Sequence, residues 1–457
     1  MKRDTGRQRF VWSFAPAARH LRPSFRMPDM PRVALLCLLT AAVPVVAADW
    51  TRFRGPNGTG IADGPAAPSE WGDESNLKWK TDLPGKGSSS PVVAAGRVYV
   101  TAYTGYGQQP GRVGDAAELT RHLLAYDRRT GEELWRHSEA APKPDKEDPY
   151  QGFITQHGYA SSTPAADGER VFALLGKSGL FAFSHDGELQ WRADVGDGSD
   201  PAKWGDASSP ILVGGLVVLN AGILGNALIA FDAATGAERW RIDGESFTSA
   251  WSTPVTIEAG GRTLVLFAVP GQIVAADAAT GAEAWRIDHE IADATAGSLV
   301  VDGRVVSLMG GREGFATALE VPEDGGPPRK LYDGRLRTGI DTPVAVDGRL
   351  YWVSGGVFYA ADQRTGELVY KERLPRHGGG GGGFASSEYG SPVVSGGRII
   401  LFSRGGEGYV IRPGGSLEVI AHNRPFEGDA TGFAATPALS DGDLFVRSEG
   451  RLYCVGE

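Results

Sequence analysis

LAYDRRTGEELW, residues 124–135, is the most informative segment of this 457-residue chain, because its pattern recurs along the sequence. The pattern is Ala-x-Asp-x-x-Thr-Gly followed, after three residues, by an aromatic residue. Three close copies and one shorter copy are IAFDAATGAERW (229–240), VAADAATGAEAW (274–285), YAADQRTGELVY (359–370) and FAFSHDGELQW (181–191). Two degenerate copies are TALEVPEDGGPPRKLY (317–332) and VIRPGGSLEVI (410–420). Such repetition indicates an architecture built from equivalent units.

Each copy has the chemistry of a β-hairpin. Asp at the start of the turn accepts hydrogen bonds from backbone N–H groups further along the chain. Gly adopts the positive φ that a longer hairpin loop with a bulge requires. The aromatic residue ends the outer strand and packs on a neighbouring unit, where the small Ala leaves room. We assign this structural role to Asp127, Gly131, Trp135, Asp232, Gly236, Trp240, Asp277, Gly281, Trp285, Asp362 and Gly366.

A second pattern, two strands joined by a tight Gly turn, precedes each hairpin. It reads SSSPVVAAGRVYV in the first unit, where a Pro near the strand start costs no internal ladder bond. The eight copies occupy residues 88–100, 161–173, 207–219, 251–267, 296–308, 340–352, 389–401 and 434–446. Four strands in each of eight units predict an all-β, eight-bladed β-propeller of four-stranded antiparallel blades.

The two ends of the chain are predicted to close this propeller together. The last unit stops after its third strand, RLYCVGE (451–457), whereas the first begins with an unpaired outer strand, LKWKTDL (77–83). The N-terminal strand is therefore expected to complete the last blade, which removes an open sheet edge. Cys454 aligns with the small Ala of the hairpin, so we expect a buried structural residue.

The N-terminal region reads as a targeting segment. The apolar run VALLCLLTAAVPVVA (33–47) places the small residues Val45 and Ala47 at the −3 and −1 positions of a signal-peptidase site. The predicted parts of the chain are a signal peptide with a long leader (1–48), an N-terminal extension that packs on the propeller (49–75) and the propeller itself (76–457). We therefore expect an extracytoplasmic protein, periplasmic or secreted.

Charge and hydropathy exclude two classes of partner. Removal of residues 1–48 leaves 38 Lys and Arg against 53 Asp and Glu, a formal net charge of −15. An acidic chain without a basic cluster is not suited to nucleic acid. No apolar run reaches the roughly 20 residues that a membrane-spanning helix needs. We expect a monomer without a transmembrane span.

The repeat resembles that of pyrroloquinoline-quinone-type propellers, which include quinoprotein alcohol dehydrogenases and the outer-membrane β-barrel assembly lipoprotein. The resemblance covers roughly residues 76–457 and is specific for the fold. The dehydrogenases of this family use pyrroloquinoline quinone with Ca²⁺, so the resemblance implies that cofactor as one possibility. The lipoprotein is a non-catalytic scaffold, which the resemblance implies as the other.

Three features separate this chain from those dehydrogenases. It lacks the adjacent cysteine pair that forms a disulfide ring beside the quinone, it lacks a C-x-x-C-H haem motif, and it is shorter. The calcium ligands and catalytic Asp of that family find no matching motif here. We therefore expect no cofactor, no metal, and no tight binding of pyrroloquinoline quinone with Ca²⁺.

The connections between the outer strand of one blade and the inner strand of the next are expected to frame the channel mouth. They vary in length and chemistry, and long loops on a rigid scaffold commonly carry function. Carboxylates beside aromatic residues suit a cation, a sugar or a polar cofactor. The alternative is that these are solvated loop residues or bond to neighbouring turns. The candidate ligand-binding residues are His157, Tyr159, Trp204, Asp206, Trp251, Asp293, Asp341, Glu388 and Tyr389.

No catalytic residue is assigned. Ser and Thr precede every inner strand, for example at Ser162 and Ser209, so we interpret them as structural repeat positions. The eight His show no metal-ligand spacing, and His157 is interpreted as a hydrogen-bonding residue. The sequence thus favours a non-catalytic binding or scaffolding propeller with an unidentified protein or small-molecule ligand. A quinone-dependent dehydrogenase, or another enzyme that uses the same face, is the alternative.

Overall fold

The computed structural model describes residues 49–109, 111–142, 149–376 and 389–457. Within them, the strands form eight sheets of four antiparallel strands each. This confirms the predicted eight-bladed β-propeller. The core lies between the blades: Phe172 of one blade and Val217 of the next, for example, belong to one buried apolar cluster.

The first strand of the described residues, β1 (Leu77–Asp82), belongs to the last blade, and blade 1 begins after it. Blades 1 and 2 consist of β2 (Val92–Ala94), β3 (Arg97–Thr104), β4 (Thr120–Asp127), β5 (Glu133–Ala140), β6 (Ala165–Ala166), β7 (Arg170–Leu174), β8 (Leu180–Ser184) and β9 (Leu189–Ala193). Blades 3 and 4 consist of β10 (Ile211–Val213), β11 (Leu216–Ala221), β12 (Ala227–Asp232), β13 (Glu238–Asp243), β14 (Val255–Ala259), β15 (Arg262–Val269), β16 (Gln272–Asp277) and β17 (Glu283–Asp288).

The second half of the ring repeats this order. Blades 5 and 6 consist of β18 (Val300–Asp302), β19 (Val305–Gly310), β20 (Phe315–Glu320), β21 (Arg329–Arg335), β22 (Val344–Val346), β23 (Arg349–Ser354), β24 (Val357–Asp362) and β25 (Leu368–Arg373). Blades 7 and 8 consist of β26 (Val393–Ser395), β27 (Arg398–Phe402), β28 (Gly408–Arg412), β29 (Glu418–Asn423), β30 (Ala438–Ser440), β31 (Asp443–Arg447), β32 (Arg451–Val455) and β1. The short helices are α1 (Ile154–His157) and α2 (Gly222–Gly225), with 3₁₀ turns at Ala116–Glu118, Gly176–Ser178 and Glu245–Ser249.

The repeated turns adopt the predicted hairpin geometry. In blade 3, Oδ1 of Asp232 accepts hydrogen bonds from the backbone N–H groups of Ala234 (3.1 Å) and Thr235 (2.9 Å). Gly236 follows with a φ of 72°, which favours glycine. The same pair of bonds is made by Asp127, Asp277 and Asp362.

The outer-strand tryptophans join neighbouring blades at these turns. Trp191 of blade 2 donates from Nε1 to the carbonyl oxygen of Ala233 in the turn of blade 3 (3.0 Å). A Cβ atom on Gly236 would lie only 2.6 Å from Cδ2 of Trp191, so the glycine also leaves room for the indole. Trp79, Trp135 and Trp240 donate in the same way to Arg128, His185 and Ala278. The repeat therefore encodes the contact between blades as well as the hairpin.

Blade 8 is closed by the N-terminal strand, as predicted. β1 pairs antiparallel with β32, and Trp79 lies opposite Cys454 in the register. Cys454 is fully buried, and burial raises the pKa of its thiol to about 12. It occupies the position that Ala230 takes opposite Trp240 in blade 3. The sole cysteine of the propeller is thus an unreactive packing residue.

The segment before β1 runs across one end of the central channel. The carbonyl oxygen of Thr51 accepts a hydrogen bond from Ala166 N in blade 2 (2.8 Å). Nη1 of Arg54 donates to the carbonyl oxygen of Thr342 at the start of blade 6 (2.8 Å). Blades 2 and 6 lie on opposite sides of the ring, so the chain between these contacts crosses it. We call residues 51–60 the channel plug.

The predicted signal peptide, residues 1–48, lies outside the described residues. Its cleavage therefore stays a prediction. In the part of the chain that the structure describes, no helix has the length and apolar character needed to cross a membrane.

Candidate functional site

A ring of hydroxyl groups lines the channel at the start of the inner strands. Each blade contributes one Ser or Thr, which is the third residue of its copy of the strand–turn–strand pattern. The ring comprises Ser90, Thr163, Ser209, Thr253, Ser298, Thr342, Ser391 and Thr436, all of which line one cavity. In seven of the eight successive pairs, the backbone N–H of one member donates to the hydroxyl oxygen of the next, at 2.9–3.2 Å. The hydroxyls thus satisfy buried N–H groups that have no ladder partner.

The eighth junction, between blades 8 and 1, is made differently. Among the described residues, no such bond joins Thr436 to Ser90. Instead the buried guanidinium of Arg447, on β31, donates from Nη1 to the carbonyl oxygen of Ser89 (3.0 Å) and to its Oγ. A long side chain therefore replaces the short hydroxyl link where the two ends of the ring meet.

The channel plug forms the floor of the cavity. Phe53 is part of the lining, and the neighbouring Arg54 is anchored beneath it. Nη2 of Arg54 donates to the carbonyl oxygens of Pro343 (2.7 Å) and Thr59 (2.8 Å). Burial lowers the pKa of Arg54 to about 10, and the nearby carboxylate of Asp341 opposes this change. The cavity is therefore closed towards the face that carries the Asp-x-x-Thr-Gly turns.

Aromatic side chains form one wall. The rings of Trp204 and Trp251 lie 5.3 Å apart between centroids and are tilted by 33°. Phe153 meets Trp204 edge to face at 4.6 Å. Nε1 of Trp251 donates to the carbonyl oxygen of Gly205 (2.7 Å), which fixes this indole. The wall offers flat apolar area of the kind that ligand pockets use for affinity.

Arg312 supplies a positive charge at the rim. Its guanidinium lies over the ring of Trp204, 5.8 Å from the centroid, and three quarters of its side chain is exposed. The nearest acidic group is Asp293, whose Oδ2 is 3.8 Å from Nε of Arg312. The Asp293 carboxylate instead accepts from the backbone N–H groups of Ala294 (3.0 Å) and Arg312 (3.3 Å). The charge of Arg312 is thus only loosely compensated.

Two residues of the lining have a hydroxyl group without a partner among the described residues. Oη of Tyr389 and Oγ1 of Thr338 are buried and make no hydrogen bond within the part of the chain that the structure describes. Burial raises the pKa of Tyr389 to about 12, and the guanidinium of Arg404, 5.0 Å from its ring centroid, opposes this change. At neutral pH both hydroxyls keep their protons and are able to donate.

His157 is held in one neutral form. Its Nε2 donates to the carbonyl oxygen of Trp204 (2.8 Å), and its Nδ1 lies 2.6 Å from Oγ of Ser161. Desolvation lowers the pKa of His157 from 6.5 to about 4. Both ring nitrogens are engaged, in agreement with the expected hydrogen-bonding role. The residue connects two of the loops that frame the mouth.

This geometry predicts a pH dependence of stability. Above pH 6.5, His157 is neutral in both the folded and the unfolded state. Between about pH 6.5 and 4, the unfolded chain takes up a proton that the folded protein does not, so stability falls as the pH falls. This contribution is at most about 3 kcal/mol, since one edge of the ring borders the cavity. Urea unfolding at pH 7.5 and 4.5 should show a smaller difference for His157→Gln than for the parent protein; equal differences would contradict this assignment.

The cavity has a volume of about 390 Å³ and opens on the face of the outer-to-inner connections. Of the nine candidate residues, His157, Trp204, Trp251 and Tyr389 line it. Glu388 lies outside the described residues.

The remaining four candidates lie around the cavity without lining it. Tyr159 packs edge to face on Tyr103, and with Asp206 it lines a separate small crevice. Asp293 holds backbone N–H groups, as described above. Asp341 is 1 % exposed and lies near Arg54. The structure therefore places none of these four residues in the described lining.

Sequence reasoning missed several lining residues. Phe53 and Phe153 come from segments outside the repeat, and Arg312 comes from the turn between β19 and β20. The hydroxyl ring was assigned a structural role only, whereas its members also line the cavity. The recurrence of Ser or Thr at one position in all eight units was the available signal.

The described lining offers few ligands for the Ca²⁺-bound quinone that the fold resemblance implies. A Ca²⁺ ion needs carboxylate or carbonyl oxygen ligands, yet the described lining contains no Asp or Glu. The described residues contain no group of three or more His, Cys, Asp or Glu placed to hold a metal ion. Pyrroloquinoline quinone carries three carboxylates, whereas the described lining contains one cationic side chain, that of Arg312, to pair with them.

Comparison with known proteins identifies the family of this chain. A family model described as outer membrane protein assembly factor BamB matches residues 70–147, 154–243 and 224–457. No curated protein matches the sequence.

Solved structures share the fold at low sequence identity. BamB from Moraxella catarrhalis is 14% identical, with a TM-score of 0.57, covering 83% of this chain and 97% of that one. A quinohemoprotein alcohol dehydrogenase from Comamonas testosteroni is 14% identical, with a TM-score of 0.60, covering 90% and 81%. A europium-containing methanol dehydrogenase is 12% identical, with a TM-score of 0.59, covering 90% and 98%. An outer membrane protein assembly factor and two dehydrogenases thus share this fold.

Proposed function

The chain belongs to the family described as outer membrane protein assembly factor BamB, and on that premise we propose that it is an exported, non-catalytic propeller that binds a ligand at its channel mouth. The observation that carries the proposal is the blind cavity of about 390 Å³, floored by the channel plug and walled by Trp204 and Trp251. Pockets for small ligands range from about 300 to 1,000 Å³ and combine apolar walls with a few fixed polar groups.

The chemistry of the lining supports binding over catalysis. General acid–base chemistry needs a titratable group able to exchange a proton near the operating pH. His157 has a pKa of about 4 and both nitrogens engaged. The described lining contains no carboxylate or thiol. Its hydroxyl ring holds backbone N–H groups, and within the described part of the chain no side-chain base is bonded to these hydroxyls to activate one as a nucleophile.

Export is part of the same proposal. It is supported by the apolar run 33–47, with Val45 and Ala47 before the expected cleavage site. N-terminal sequencing of the protein from its native host should begin near Asp49. An intact leader on the mature protein would contradict export by this route.

The binding proposal is tested by what the protein carries when it is purified from the native host. Native mass spectrometry of the parent should show an added small-molecule mass that is lost in the Trp204→Ala, Trp251→Ala double variant. The same mass should stay on the control variant Leu189→Ala, whose half-exposed side chain lies on an outer strand.

Two outcomes would overturn the proposal. The first is an added mass that is equal in the parent and in the double variant, because the ligand would then bind elsewhere. The second is nanomolar affinity for pyrroloquinoline quinone with Ca²⁺, measured by calorimetry and accompanied by dye-linked alcohol oxidation. That result would establish the enzymatic alternative.

A further inference from the structure

The polar groups of the cavity are biased towards hydrogen-bond donors. Seven hydroxyl oxygens of the ring each accept a backbone N–H, so each of these hydroxyls still has its proton to donate. The described lining contains no carboxylate to accept these protons. A ligand that bears hydrogen-bond acceptors would satisfy them.

The charge of the cavity is positive at its rim. Arg312 is the charged residue of the described lining, and its distance of 3.8 Å from Asp293 exceeds that of a hydrogen bond. Asp293 already accepts two backbone N–H groups. A planar guanidinium in this state pairs well with a carboxylate, by two parallel hydrogen bonds. Because the described lining has one guanidinium, it suits a ligand with one carboxylate.

The shape of the cavity favours a flat apolar group next to that charge. Trp204 and Trp251 present indole rings to the cavity, and Phe53 closes it below. Aromatic groups stack on such rings in offset or edge-to-face geometry. The volume of about 390 Å³ is near the lower end of the range for ligand pockets, which suits a molecule of one or two rings.

We infer that the ligand class is a small aromatic monocarboxylate, whose ring lies against the two indoles and whose carboxylate meets Arg312. This inference rests on the proposed function, since it names the ligand of the same cavity. It excludes cationic aromatic ligands, which would meet the charge of Arg312, and it excludes ligands that need a bound divalent cation.

The test uses 2-naphthoate and its neutral isostere 2-naphthamide as probes, with affinities measured by isothermal titration calorimetry on the full mature chain. The two probes share one ring system, so their ratio isolates the charge. In the parent protein the carboxylate should bind at least 10-fold more tightly than the amide. Arg312→Gln should bring this ratio close to 1, and Arg312→Lys should retain part of it.

A further variant on the same blade serves as the control. Arg335→Gln removes an exposed guanidinium that pairs with Glu313 and does not line the cavity, so the parent ratio should remain.

The outcomes separate this inference from the proposed function. The inference that the ligand is an aromatic monocarboxylate would be overturned if the parent bound the carboxylate and the amide with equal affinity. It would also be overturned if the parent bound neither probe. An unchanged ratio in Arg312→Gln would remove the assigned role of Arg312 and overturn the inference as well. The proposed function would survive these results if the co-purified mass is still lost in the Trp204→Ala, Trp251→Ala variant.

Discussion

Replacing residues 77–83 with a Gly-Ser linker of the same length should destabilise the protein by more than about 5 kcal/mol and cause it to aggregate. The replacement removes two buried side chains, Trp79 and Leu83, and a buried Trp alone contributes about 3–5 kcal/mol. It also uncovers the edge of β32, which pairs with β1 in the folded protein. An unpaired strand edge is a site for association with other chains. Urea unfolding and size-exclusion chromatography would measure the two effects.

A matched control lies on the same strand. Lys78, Lys80 and Asp82 alternate with the buried residues and point to solvent, where they form ion pairs with Asp443, Asp73 and Arg451. Exposed ion pairs contribute about 0–1 kcal/mol each. Replacing these three residues with Ser should therefore leave a folded, unaggregated protein. If the linker variant proved as stable as this control, the ring would have to close in another way.

Gly236→Ala should cost about 2–5 kcal/mol, an unusually large effect for the addition of one methyl group. Part of the cost is the φ of 72°, which is unfavourable for a residue with a Cβ by about 1–2 kcal/mol. The remainder arises because the new Cβ would lie 2.6 Å from Trp191, so the indole must move from its hydrogen bond with Ala233. Displacing a packed side chain in this way costs about 1–3 kcal/mol.

Gly215→Ala separates the two causes. Gly215 belongs to the same blade and has a φ of 79°, but no atom lies within 4 Å of the added Cβ. This variant should lose only the conformational part, about 1–2 kcal/mol. The loss of unfolding free energy in both variants would be measured in urea. Equal losses would show that the contact with Trp191 adds nothing to the cost of Gly236→Ala.

The fold could be predicted from the sequence because its determinants are local and repeated. The residues of the Asp-x-x-Thr-Gly turn determine the conformation of the hairpin, and the aromatic residue that follows identifies the outer strand. Ring closure followed from counting strands at the two ends, and the pairing of β1 with β32 confirms it. The two degenerate copies did not obscure the pattern. Trp285, which precedes the degenerate turn of blade 5, has no partner for its Nε1 among the described residues.

The cavity could be predicted only in part, because its lining depends on contacts between distant segments. The sequence placed Asp341 at the channel mouth, but it lies near Arg54, far away along the chain. In a strand, successive side chains point to opposite faces, but loop residues such as Asp206 follow no such rule. The direction of their side chains therefore cannot be predicted from the sequence. Trp204 and Trp251 were identified because they lie just before inner strands, in the connections that frame the channel mouth.

Closure of the ring by its two ends has a consequence for the time at which folding finishes. Arg451 on β32 and Asp82 on β1 form a hydrogen bond between residues 369 positions apart. Pairings of such long range form slowly, because the chain loop must close before the contact is gained. Blade 8 cannot form until the last residues of the chain are available. If such a chain crosses a membrane from its N-terminus, its propeller would therefore stay open until the last strand has crossed. Until then, β1 would have no strand to pair with.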